Sequence, residues 1–165
     1  MNNLIKHFLA TSLLLISSVV VAQKNDAIIQ TAQVQEAIAR GAIIWDVRDE
    51  KSYLEGHIPG AINIGDAGNI LRDANKEDYI ATAKIQAIFN QAGLDVNKDV
   101  VVYGSRGNPY AYFGLYTINY FGGKQAQIYH DGIDAWKSAG LPLQKDRAIL
   151  PAVSVVLVPQ PQLLV

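Results

Sequence analysis

VVVYGSRGNPYAY, residues 100–112, is the stretch from which the fold is read. Val100, Val101, Val102 and Tyr103 are consecutive apolar β-formers, the pattern of a short strand covered on both faces. The run stops at Gly104. Ser105, Arg106, Gly107 and Asn108 are turn-formers, Pro109 suits the first position of a helix, and Tyr110 to Phe121 carries a helical apolar pattern. Strand, tight loop and helix in that order place the junction at the carboxyl end of a sheet in an α/β protein. There the loop N–H groups and the helix N-terminus are expected to converge on an anion or a nucleophile. Gly104 to Tyr110 is therefore the candidate site.

Upstream, Ala42 to Val47 is a continuous apolar strand leading into Asp46, Val47 and Arg48. Parallel pairing, which the intervening helices require, puts Asp46 and Arg48 on the rim of the Gly104 loop. Before it, Ala27 to Gln30 is a short first strand, and Thr31 an N-cap for a helix with the stripe Val34, Ala37 and Ile38, ending at Gly41. Gly65 to Asp78 is polar and expected to be an exposed connection. From about Asp78 to Gln91 a helix is expected to bury Ile80, Ala83, Ala87 and Ile88, with Gly93 ending it. The helix after Pro109 is apolar or aromatic on nearly every face, so something besides the sheet must cover it; a second domain would serve.

The 165 residues, half of them apolar, allow one ordinary domain with a real core. The class is α/β, a central parallel sheet of about five strands flanked by helices on both faces. A formal net charge of −1 offers no basic face for nucleic acid. His57 and His130 read as turn residues rather than bases or ligands. Asp95, Asn97 and Asp99 lack the glutamate that closes a calcium loop. No metal and no other cofactor are expected.

Two further stretches carry a family resemblance. IIWDVRDEKSYLEGHIPGAINI (residues 43–64) and QIYHDGIDAWKSAGLPL (residues 127–143) flank the Gly104 loop in the order seen in rhodanese-like domains, which the chain resembles from Asp26 to about Leu143. The resemblance implies that fold, and an ancestry in sulfur transfer from thiosulfate or a similar donor. It also implies a loop cysteine that holds the transferred sulfur as a persulfide. Matching the motif puts Gly104 at that place, and the chain contains no cysteine. A hydroxyl such as that of Ser105 is neither acidic enough nor able to carry a labile S–S bond. The chain alone is thus expected to be non-catalytic, with the loop Gly104, Ser105, Arg106, Gly107, Asn108, Pro109 and Tyr110 standing where an active site would be. A phosphatase-like hydrolysis would need Ser105 as nucleophile and a base the motif does not supply. Arg106 is either an anion-recognising group or a solvated tip. A Gly104→Cys change is expected to create a thiol whose pKa the loop amides and helix dipole lower.

Residues 1–22 have the form of a secretory signal: Lys6 and His7, an apolar run from Phe8 to Val21, then Val20 and Ala22 at cleavage-site spacing. The domain spans residues 26–145, in the periplasm or secreted, with no membrane contact once the signal is removed. Residues 146–165 are an extended apolar tail or linker rich in Val and Pro. In tandem thiosulfate sulfurtransferases the first domain commonly lacks the cysteine and is joined by such a linker to the catalytic one. The chain resembles that amino-terminal half. Its expected partners are a small sulfur-containing anion, a second rhodanese domain or another protein.

Overall fold

The structure, a computed structural model, describes residues 26–163 except Glu77; the expected signal lies outside the described residues. Four parallel strands form the sheet: β1 (Ile43–Asp46), β2 (Ile62–Asn63), β5 (Asp99–Tyr103) and β6 (Gln125–Tyr129), in the order β2-β1-β5-β6. The fifth strand expected at residues 27–30 is reduced to one bridge, Ile28 to Ile128 beside β6. Helix α1 (Thr31–Ala39) starts immediately after it and leaves no residues to extend the pairing. Its N-cap is Gln30, one residue earlier than expected, and the Gln30 N–H donates to Gln33 Oε1 at 2.8 Å.

Alternation along β1 and β5 sorts the core into two layers. Ile43, Trp45, Val100 and Val102 face α4 (Thr82–Ala92) and α5 (Pro109–Tyr120); Ile44, Val101 and Tyr103 face α1 and α6 (Gly132–Ser138). In α4 the buried pair is Ile85 and Phe89, while Ala83 and Ala87 face solvent. The expected stripe was displaced because the two largest side chains spaced four apart take the inner face, where Phe89 meets Trp45 edge-on at 5.7 Å.

Residues 65–78 are not a plain exposed connection. Asp66 caps a one-turn helix, α3 (Ala67–Ile70), by accepting from the Gly68 and Asn69 N–H groups, and Ala67 and Leu71 are buried. The polar residues serve the caps and the apolar ones, spaced four apart, enter the core. A two-stranded ribbon follows, β3 (Arg72–Asp73) against β4 (Asp78–Tyr79). Tyr79 stacks on Phe113 at 5.4 Å and Tyr120 at 5.2 Å, and its hydroxyl pairs with Thr117 Oγ1 at 2.7 Å. The outer side of α5 is therefore covered in part by the chain's own ribbon.

The tail adds to this cover. Val155 and Leu157 are buried against the α4–α5 layer. Asn90 holds the strap as a strand would: its Oδ1 accepts the Val155 N–H at 2.9 Å, its Nδ2 donates to the Val155 carbonyl at 3.3 Å, and its own carbonyl accepts the Val153 N–H at 2.9 Å. Gln86 Oε1 accepts the Leu157 N–H at 3.0 Å. Replacing Asn90 by alanine is expected to cost about 1–3 kcal/mol, because the Val155 N–H and carbonyl both lose their side-chain partner while the bond from Val153 to the Asn90 carbonyl remains. Proteolytic cleavage between residues 149 and 160 should then accelerate, and an unchanged cleavage rate would show that the clamp does not hold the strap.

The turn after α2 (Glu50–Glu55) is built around His57, which is fully buried. Its ring stacks on Tyr53 at 3.7 Å, Nδ1 donates to the Tyr53 carbonyl at 2.8 Å, and Nε2 has no partner among the described residues. Burial lowers the pKa below the ordinary histidine value of 6.5. The folded state consequently holds the ring neutral while the unfolded chain takes up a proton. Stability is full above about pH 6.5 and falls as pH drops through that value toward the lowered one. Urea unfolding at intervals from pH 7.5 to 5 is expected to show this loss, and His57→Gln to flatten it.

Candidate functional site

The carboxyl ends of β1, β5 and β6 lie side by side, which brings Asp46–Arg48, Gly104–Asn108 and His130–Asp134 to one edge. Asp46 and Arg48 do not line an exposed rim there. Asp46 is fully buried and Arg48 nearly so, and they face each other: Nε donates to Oδ1 at 2.9 Å, Nη2 to Oδ2 at 2.5 Å, and the Arg48 N–H to Oδ1 at 3.0 Å. Nη2 also donates to the Gly56 carbonyl at 2.9 Å. Burial works against the guanidinium charge, but the hydrogen bonds and charge of Asp46 outweigh it, and the Arg48 pKa lies above its ordinary value. The pair ties the end of β1 to the His57 turn. Tyr103 closes the same knot. Its hydroxyl accepts the Ile58 N–H at 3.1 Å, and burial, followed by the Asp46 charge, pushes its pKa well up, so it stays neutral.

The loop after β5 forms a turn in which the Asn108 N–H donates to the Ser105 carbonyl at 3.0 Å. Gly107 sits at φ +69°, a conformation glycine adopts freely. Its N–H groups do not converge. The Arg106 N–H donates to Asp134 Oδ2 at 2.7 Å, the Gly107 N–H to the His130 carbonyl at 3.1 Å, and the Tyr110 N–H to Asn108 Oδ1 at 2.8 Å. In place of the convergence expected from a strand–loop–helix junction, these three amides leave in different directions, each to an acceptor of this chain. The Arg106 guanidinium is paired as well, Nε lying 3.2 Å from Asp131 Oδ1.

Space follows the same pattern. A Cβ on Gly104 would stand 2.9 Å from Asn108 Cβ and Nδ2, so the asparagine fills the volume a side chain at 104 would need. The Gly104 carbonyl accepts the Ile133 N–H at 2.9 Å. Gly132, at φ +52°, lets α6 come this close, since a Cβ there would run into that carbonyl. Pro109 opens α5 behind the Asn108 cap as the sequence indicates. The local sequence did not reveal His130, Tyr112 and Asp134. The fold sets His130 beside the loop, with Nδ1 2.7 Å from the Tyr112 hydroxyl. The only local signal was the spacing of Asp131 and Asp134 at a helix start.

The four-stranded parallel sheet with the Gly104 loop at its carboxyl edge is the α/β arrangement that the resemblance to rhodanese-like domains implies. The rhodanese-like domain profile matches residues 30–139, and the chain belongs to that family. It is 34% identical over 94 residues to the thiosulfate sulfurtransferase of Corynebacterium glutamicum, covering 57% of this chain and 31% of that protein. A putative thiosulfate sulfurtransferase of Synechococcus elongatus is 35% identical over 109 residues, 62% of this chain and 33% of that one. The chain thus spans about a third of the length of these relatives. Among solved structures, SseA from Escherichia coli, described for the rhodanese fold of 3-mercaptopyruvate sulfotransferases, superposes with a TM-score of 0.75 at 21% identity. The match covers 82% of this chain and 56% of that one. At this identity the likeness shows the fold.

Proposed function

We propose that this chain is an exported rhodanese-like module of sulfurtransferase ancestry that does not transfer sulfur by itself and acts by binding, as a regulatory or scaffolding domain. The observation that carries this is the loop. Glycine stands at the place the family resemblance assigns to the persulfide cysteine, and the N–H groups of Arg106, Gly107, Asn108 and Tyr110 are turned to acceptors within the chain. Without a thiolate no group at the loop can accept and release a sulfur atom. The mature chain, purified from about Gln23 onward, is expected to form no thiocyanate from thiosulfate and cyanide above the uncatalysed rate. Turnover would overturn the proposal.

A second reading is favoured by one observation, the share of the relatives that the chain covers. On this reading it is the amino-terminal half of a two-domain thiosulfate sulfurtransferase whose cysteine lies on the other half. The strap would then be the segment leading to that half, and its outward row, with Ile149 85%, Val156 74% and Val158 54% exposed, the surface it covers. The intact mass of the native product decides between the two. A single-domain mass favours the stand-alone module; a mass of two domains establishes the half-enzyme.

A further inference from the structure

We infer that Asp131 and Asp134 are the resident anions of the Gly104 loop, occupying the Arg106 N–H and facing its Nε, so that a free small oxyanion must compete with them at Arg106. Arg106 is the cation of the loop, and it lies on the exposed side. Its N–H is held by Asp134 at 2.7 Å and its Nε by Asp131 at 3.2 Å. Of the neighbouring amides, those of Gly107 and Asn108 already meet backbone carbonyls.

The carboxylates are not there by a chance swing of side chains. Gly132 and Ile133, between them in sequence, are fixed against the Gly104 carbonyl by close approach and by a 2.9 Å hydrogen bond. The backbone therefore presents both carboxylates to Arg106 at high effective concentration, against which a dissolved anion must compete. An arriving oxyanion also meets two negative charges at close range. The ligand class excluded is any small oxyanion, thiosulfate and sulfate alike. The same geometry makes the site latent, since removing both carboxylates leaves an arginine with its N–H and guanidinium free on one side of the loop.

This inference deepens the proposed function by giving the reason the loop is unresponsive to the family's donor anion. Its test reads binding rather than turnover, so it can fail while the absence of turnover stands. The mature chain and Asp131→Ala/Asp134→Ala are each titrated with sodium thiosulfate, then with sodium sulfate, at constant ionic strength, following the amide signals of Arg106 and Gly107. The wild type is expected to show no saturable shift. The double variant, with the rest of its amide spectrum unchanged, is expected to bind both anions at least about tenfold more tightly, ~1.4 kcal/mol. Asp134→Asn keeps an acceptor for the Arg106 N–H and leaves Asp131 in place, so it is expected to follow the wild type. A saturable wild-type shift at Arg106 and Gly107 overturns the inference. So does a folded double variant that gains no binding. The wild-type titration decides even if the double variant does not fold.

Discussion

Replacing Arg48 by methionine is expected to lower the free energy of unfolding by about 3–5 kcal/mol, the cost of leaving a buried carboxylate without its partner. Asp46 has no solvent exposure, and Arg48 supplies most of its hydrogen bonds while reaching on to the Gly56 carbonyl. Against a total stability of roughly 5–15 kcal/mol for a domain, this is enough to unfold a sizeable fraction of the protein on warming. The double change Asp46→Leu/Arg48→Met is expected to recover much of the loss, since an apolar pair of similar volume removes the unpaired charge. Recovery will be incomplete, because the Arg48 N–H and the Gly56 carbonyl each lose a partner. Urea unfolding of the two variants measures both effects. A single-variant cost below about 1 kcal/mol, the scale of an exposed pair, would show that the knot does not hold the β1 end to the His57 turn.

Gly104→Cys, which on sequence alone would be expected to regain a reactive thiol, is expected instead to destabilise the fold and to leave that thiol ordinary. The new Cβ stands 2.9 Å from Asn108 Cβ, so the asparagine must move, and its Oδ1 then leaves the Tyr110 N–H that it caps. Overpacking of this kind costs about 1–3 kcal/mol and the lost cap about 0.5–2 kcal/mol. The N–H groups of Arg106, Gly107, Asn108 and Tyr110 are engaged elsewhere, so the thiol is expected to stay near about 8.5. Adding Asn108→Gly removes the colliding side chain at a cost of only a few tenths of a kcal/mol in capping. The double variant is expected to regain stability without gaining a low pKa. Thermal unfolding and the pH dependence of thiol alkylation read the two effects separately. A single Gly104→Cys variant as stable as wild type, with a thiol titrating near neutrality, would mean that the loop is still built to carry sulfur.

What the sequence revealed and what it concealed follow from the range of the interactions. The apolar run Val100–Tyr103, the break at Gly104 and the Asn108–Pro109 helix start are decided by residues next to one another, and all lie where the local pattern places them. The directions of the loop amides are not local, because Arg106 is bound by Asp134 and Gly107 by His130 across the β5–β6 pairing. Asp46 and Arg48 were legible as charges at a strand end. Their burial was not, since it depends on Tyr103 and the His57 turn closing over them. The tail read as an extended apolar segment or linker because its valines have no local partner; Asn90 and Gln86, well over fifty residues upstream, supply it. Likewise the aromatic face of α5 called for a second domain until Tyr79, from a segment that looks merely polar, stacked on it.

The most direct measurement is the intact mass of the mature wild-type chain after incubation with excess thiosulfate and removal of small molecules under non-reducing conditions. The mass is expected to be unchanged, because no residue of a loop built from Gly104 to Tyr110 can hold a transferred sulfur. A gain of one sulfur atom, localised by fragmentation to that loop, would contradict the account at its centre.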